Sequence, residues 1–158
     1  MKNNIIVERN ELQQQIDLMN YYMGESAKRE NPNADTIQSC KDDEELLHMF
    51  AKRAANELVA AVALRFPTIS TIIDTEYISF VFETNDASRS HIHPLLKQAI
   101  TDYLVNEITM QWLLLHQPQM AQANISLRNS LYNNVQQLFA KLYNTQKTRR
   151  RSTDLAGI

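Results

Sequence analysis

The chain has 158 residues, of which 44% are hydrophobic and 22% are charged, a composition typical of one soluble globular domain. A net charge of −2 provides no overall field that would attract nucleic acid or an anionic membrane. The one cysteine, Cys40, excludes an internal disulfide framework, and the two glycines, Gly24 and Gly157, are too few for phosphate-binding loops or a nucleophile elbow. We therefore expect a protein that is not an enzyme and that binds no cofactor and no metal.

The first predicted helix covers residues 9–23, where apolar side chains recur at spacings of three and four. They are Leu12, Ile16, Met19 and Met23. Gly24 is expected to end this helix, and residues 24–41 to form a long polar connection. Residues 1–8 hold too few apolar side chains for a secretory signal, so we expect synthesis in the cytoplasm.

A second helix is predicted for residues 42–65, with Asp42 as the N-cap and Glu45 at capping-box spacing. Pro67 ends it, because the residue before a proline is pushed out of the helical region.

Residues 76–84 alternate like a strand, with Ile78, Phe80 and Phe82 on one face. A single strand cannot satisfy its own backbone, so a partner is required. Two alternatives stay open, namely residues 68–75 of the same chain or a strand of another subunit.

The third helix begins at His93 or Pro94, ends near His116 and is apolar almost all round, which places it at the centre of the fold or against other chains. The fourth begins at Pro118 and continues to Lys147, so the two helices form an antiparallel hairpin. Its predicted apolar stripe is Met120, Ala123, Leu127, Leu131, Val135, Leu138, Phe139 and Leu142.

The opposite face of the fourth helix is rich in amides and carries only Arg128 and Lys141 as charged residues. The amides are Gln119, Gln122, Asn124, Asn129, Asn133, Asn134, Gln136 and Gln137. Solvated helices more often carry charge pairs. The face is therefore either a neutral solvated surface or one that packs against identical copies.

The charge is divided unevenly along the chain. Residues 1–140 contain 11 Lys and Arg against 17 Asp and Glu, whereas residues 141–158 contain 5 against 1. We predict a single helical domain over residues 1–147 and a basic arm over residues 148–158 that is ordered only against a partner. The candidate partner-binding residues are Lys147, Arg149, Arg150, Arg151, Leu155 and Ile158. The alternative is a frayed C-terminus whose cations favour the helix dipole.

The histidines give weak signals. His91 and His93 have the spacing of two metal ligands on a strand, but they precede a helix and no cysteine is near, so a capping or solvent contact is the better interpretation. His48 and His116 lie beside apolar neighbours and are expected to be partly buried and not catalytic. Trp112 is expected in the core.

Residues 76–152 resemble the head–tail connector (adaptor) proteins of tailed bacteriophages and prophages. The likeness is carried by the aromatic strand, by Leu96, Ile100, Tyr103–Asn106, Ile108, Trp112 and Leu113, by Pro118 and Ala121, and by Lys141–Tyr143 followed by Arg149–Arg151. The four helical patterns and the strand pattern predict an all-α bundle of about four helices with one or two short strands. The resemblance implies the same build, a helical bundle with a small β element, together with an extended C-terminal arm. It also implies a structural virion protein that forms a homo-oligomeric ring, binds portal and tail proteins and lies near DNA, without a membrane partner.

Two other functions compete with that expectation. The basic tail could serve a small helical DNA-binding regulator, although the body is acidic and shows no helix-turn-helix pattern. It could also serve a cytoplasmic helical adaptor that binds no nucleic acid.

Overall fold

A computed structural model of the protein describes residues 2–30, 43–84 and 91–143. This part of the chain contains four α-helices and one small sheet, so the mostly helical prediction is confirmed, but the sheet has three strands and not one or two. The elements are β1 (Lys2–Glu8), α1 (Arg9–Glu30), α2 (Glu44–Ala63), β2 (Ser70–Ile73), β3 (Tyr77–Glu83), α3 (Ile92–His116) and α4 (Gln122–Tyr143), with a 3-10 turn at Pro118–Ala121. No helix within these ranges is both long enough and apolar enough to cross a bilayer.

The predicted strand is the centre of the sheet, whose order is β1-β3-β2 with both pairings antiparallel. Ile78, Phe80 and Phe82 are fully buried on one face of β3, as their alternation predicts. Of the two alternatives for the partner, residues 68–75 supply β2. The other edge of β3 is also occupied within the chain, by β1, so β3 needs no strand from another subunit.

β1 was not predicted from the sequence. Asn3, Ile5 and Val7 are buried and the residues between them are exposed, which gives the period of two expected of a half-buried strand. Ile5 lies opposite Phe80, and Val7 opposite Ile78. The ladder continues to the first residue of α1, where the backbone N–H of Arg9 donates to the carbonyl oxygen of Glu76 over 3.0 Å.

α1 extends beyond its predicted end. The helix passes through Gly24 and continues to Glu30, and no glycine in the described ranges has a positive φ, so the expected left-handed stop is wrong. A glycine in a helix interior costs only about 1 kcal/mol, which the neighbouring helix formers can offset. The rest of the predicted polar connection, residues 31–41, lies outside the described residues.

α2 begins two residues later than predicted and ends at Ala63, two residues before Arg65. Asp43 occupies the cap position without a side-chain capping hydrogen bond, and the predicted N-cap, Asp42, lies outside the described residues. Leu47, Leu58 and Val62 are among the side chains that α2 buries.

α3 is the central helix, as its apolar composition predicts. It packs against α1, α2, α4 and β1, and most of its residues are buried, including Trp112. The core joins this helix to the sheet and to the end of α4, where Phe82 meets Phe139 edge to face with ring centroids 5.3 Å apart. Burying such aromatic side chains supplies a large share of the hydrophobic stabilisation.

Candidate assembly surface

α3 and α4 form the predicted antiparallel hairpin. From Asn124 to Tyr132 along α4, the contacts move backward along α3, from Asn106 to Tyr103, whose ring lies 6.4 Å from that of Tyr132. Arg128, between these two positions, contacts Glu107. The short connection, which includes the 3-10 turn, keeps the two helices next to each other.

The predicted apolar stripe of α4 is correct in its C-terminal half and wrong in its N-terminal half. Val135, Leu138, Phe139 and Leu142 are buried, but Ala123 and Leu127 are exposed. The side chain buried in the first turn of α4 is instead Asn124. The prediction that Asn124 belongs to the outer amide face is therefore wrong.

Asn124 is buried because it forms a reciprocal pair with Asn106 of α3. Its Nδ2 donates to Oδ1 of Asn106 over 3.0 Å, and Nδ2 of Asn106 donates to the backbone oxygen of Asn124, also over 3.0 Å. A buried amide costs free energy unless it is hydrogen-bonded, so the pair favours one longitudinal position of α4 on α3.

A second polar contact lies one turn further along the hairpin. Glu107 of α3 is fully buried, and its Oε1 lies 2.7 Å from Nε of Arg128. Arg128 also reaches Glu57 of α2, whose Oε2 is 3.6 Å from Nη2. The arginine therefore links α4 to both α3 and α2 across an edge that remains about half exposed.

The electrostatics of this contact follow from burial. Burial raises the pKa of the Glu107 carboxyl, and the charge of Arg128 opposes that rise. Burial also raises the pKa of Tyr103 to about 12, and the charge of Glu107 adds to the increase. The phenol is therefore neutral beside the ion pair and takes no charge in the physiological range.

The outer face of α4 is left exposed and almost neutral. The exposed amides are Gln122, Asn129, Asn133, Asn134 and Gln137, and two apolar side chains, Ile125 and Leu127, are exposed among them. Gln136 is half-buried and donates to the hydroxyl of Tyr132. We call this surface the amide face. Since Glu107 and Glu57 compensate Arg128, it presents little net charge from Gln122 to Gln137, and Lys141 is an exposed cation one turn further along the helix.

The ion pair between Glu107 and Arg128 was not predicted, although the sequence contains one indication of it. Glu107 interrupts an otherwise apolar stretch of α3, and an isolated carboxylate in such a stretch needs a buried cationic partner. Arg128 is one of only two charged residues between positions 117 and 143. The sequence spacing of Glu107 and Arg128 does not predict their contact, because it forms only when α3 and α4 pack as a hairpin.

The predicted partner-binding residues Lys147, Arg149, Arg150, Arg151, Leu155 and Ile158 lie outside the described residues, as does Cys40. His91 is exposed, and His93 is half-buried with its ring edge against Phe82 at 5.9 Å. Within the described ranges, no three His, Cys, Asp or Glu side chains gather as a metal site would require.

The other two histidines differ from each other. His48 is partly buried, as expected, in a cleft between α1 and α2. His116 is exposed, contrary to expectation, although its ring stacks on Trp112 with centroids 3.9 Å apart. The end of α3 is open to solvent at this position, which explains the difference.

Comparisons of this chain with family models, with curated proteins and with solved structures gave no match.

Proposed function

We propose that this protein is a structural virion protein, a head–tail connector that assembles into an oligomeric ring and docks on the portal through its basic C-terminal arm. The observation that carries the proposal is the amide face of α4. It runs along one helix, is exposed in the single chain, and holds neutral hydrogen-bonding groups together with Ile125 and Leu127.

Such a surface suits contact between identical copies. Two like-charged faces brought together repel, whereas amides can donate and accept across a symmetric or repeating interface without that cost. Arg128 would otherwise place a cation there, but its charge is compensated by the buried Glu107 and by Glu57 on the surface of α2. Further exposed apolar side chains, Leu114 and Leu115, lie at the end of α3 that leads into the hairpin.

Residues 148–158, the basic arm, contain side chains suited to binding a protein partner. Three arginines can form charge-assisted hydrogen bonds with carboxylates of a portal protein, and Leu155 and Ile158 supply apolar anchors. A chain that assembles on DNA-filled capsids would also gain from cations near phosphate.

The proposal is tested by measuring the molar mass in solution over a wide range of protein concentration, with light scattering and native mass spectrometry. We expect an oligomer that dissociates on dilution. Asn133→Glu adds a carboxylate at the middle of the amide face and should raise the dissociation constant at least about tenfold, because each copy would bring the same charge to the interface. Gln14→Glu also replaces an amide by a carboxylate, on the exposed side of α1, and is the control.

A monomer at every concentration would contradict self-assembly, and equal weakening by both variants would show that the amide face is not the contact. Specific, tight binding of a DNA duplex by a dimer would favour the regulator instead. Removing residues 148–158 should leave the melting temperature unchanged while abolishing attachment to the portal complex.

A further inference from the structure

A cleft of about 200 Å³ lies away from the amide face, where the starts of α1 and α2 meet the turn between β2 and β3. Arg9, Glu44, His48 and Thr75 line it, and Leu47 and Ile108 are at its base. The cleft is open on one side, so a small solute can enter it without any change in the fold.

Two nitrogen donors of residues that line this cleft have no acceptor among the described residues. Nη2 of Arg9 lies 3.5 Å from Nε2 of His48. A guanidinium can only donate, so this contact assigns Nε2 as the acceptor and places the imidazole proton on Nδ1. That Nδ1–H and the Nε–H of Arg9 are both shielded from solvent, and neither has a hydrogen-bond partner in the described ranges. A ligand in the cleft therefore reaches these two donors only when the side chains of Arg9 and His48 rotate toward it.

The charges around the two donors are only partly compensated. Asp74 favours the charged form of Arg9 from a distance, but its Oδ1 accepts from the backbone N–H of Thr75, and Arg9 forms no ion pair with any described residue. Burial lowers the pKa of His48, and the charges of Arg9 and Lys52 lower it further, so the imidazole is neutral at pH 7. The cleft thus offers one fixed cation and one neutral N–H donor.

We propose that this cleft is a binding site for a small oxyanion, a carboxylate or a phosphate group, held by Arg9 and by Nδ1 of His48. The two orphaned groups are donors, so the ligand that satisfies both must supply acceptor oxygens. Arginine is suited to this because its planar fork matches the oxygens of carboxylates and phosphates. The volume accommodates an ion of that size, and Glu44 at the rim opposes binding of a more highly charged solute.

The experiment is an NMR titration of the full chain at pH 7, which follows the imidazole resonances of His48 while inorganic phosphate or acetate replaces chloride at constant ionic strength. We expect saturable shifts with at least one of the two anions. Saturation by phosphate alone identifies a phosphate ligand, and equal saturation by acetate identifies a carboxylate. Shifts that do not saturate, or that chloride produces equally, would overturn the proposal.

Three variants make the test specific. Arg9→Gln should weaken binding at least about tenfold, since it removes a charge-assisted hydrogen bond, whereas Glu44→Gln should strengthen binding by removing a nearby negative charge. Arg53→Gln removes a cation from the exposed side of α2 and should leave the affinity unchanged. If Arg9→Gln fails to fold, Glu44→Gln still decides the matter, because unchanged or weaker binding in that variant contradicts the site. Neither measurement depends on ring assembly.

Discussion

Removal of the Arg128 guanidinium provides the strongest test of how α4 is held. Glu107 is fully buried and the Arg128 side chain is 44% exposed, so the variant Arg128→Met keeps much of the apolar stem but leaves a buried carboxylate without its cation. Breaking a buried pair in this way costs about 3–5 kcal/mol. Because water reaches the arginine side of this pair, we expect a cost somewhat below that range, about 2–3 kcal/mol.

For a domain of this size, such a loss lowers the melting temperature by about 5–10 °C. Chemical denaturation and calorimetry measure it directly. Arg53→Met is the matched control, since it makes the same chemical change on an exposed part of α2 and should alter stability by less than about 0.5 kcal/mol. Glu107→Gln should restore most of the loss when combined with Arg128→Met, because no buried charge then remains.

The pH dependence of the unfolding free energy tests the role of the Glu107–Arg128 pair independently. Burial raises the pKa of Glu107 in the folded state above its unfolded value, so its contribution to stability is complete below the unfolded pKa and is lost as the pH rises through the folded pKa. Removing Arg128 raises the folded pKa further. As the pH rises above the unfolded pKa of a glutamate, about 4.3, the unfolding free energy of Arg128→Met should therefore fall more than that of the wild type. A loss below about 0.5 kcal/mol, with no added pH dependence, would refute the role given to this ion pair.

Two further predictions concern elements that the sequence did not reveal. Asn124→Leu leaves the buried Oδ1 of Asn106 without its donor and should cost about 1–3 kcal/mol in denaturant unfolding; an unchanged midpoint would mean that the amide pair contributes nothing. Val7→Asp places a carboxylate on the buried face of β1 and should prevent folding as judged by circular dichroism and proteolysis, whereas Ile6→Asp on the exposed face of the same strand should be tolerated. Equal tolerance of both would contradict the position of β1 in the sheet.

The parts of the fold that the sequence predicts are those where one face is purely apolar. β3 alternates without exception on its buried side, and α3 is apolar almost all round, so both patterns identify their elements. β1 was missed because its buried face begins with Asn3, which is satisfied by donating to Oγ1 of Thr84 over 2.6 Å. A polar residue in that position interrupts the apolar alternation from which a strand is recognised.

The same physical reason explains the error in α4. Asn124 occupies a buried position that an apolar residue would usually fill, because Oδ1 of Asn106 on a neighbouring helix accepts from its Nδ2. The sequence shows two asparagines 18 residues apart and contains no sign that they meet. A contact of this kind depends on how the helices pack, which the sequence pattern does not show. The predicted apolar stripe therefore included Ala123 and Leu127, which are exposed, and omitted Asn124.

Glu107 connects the stability of the hairpin with the proposed assembly through its effect on Arg128. In the wild type, the two carboxylates of Glu107 and Glu57 compensate the charge of Arg128 at the edge of the amide face. Glu107→Gln removes the closer of the two, at 2.7 Å, and leaves Arg128 with Glu57 alone at 3.6 Å. The free energy of unfolding should change by less than about 1 kcal/mol. The variant loses the attraction between Glu107 and Arg128, but it no longer buries a carboxylate, and the two effects oppose each other.

Assembly should respond differently from stability. Each copy of Glu107→Gln brings a less compensated cation to the contact, so the dissociation constant of the oligomer should rise several-fold at low salt and recover as added salt screens the charge. Sedimentation velocity at two salt concentrations measures this, with a melting curve on the same sample. Weakened assembly without loss of stability would support a neutral face as the basis of contact. Assembly that is unchanged at low salt would mean that the charge state of Arg128 does not affect contact between copies.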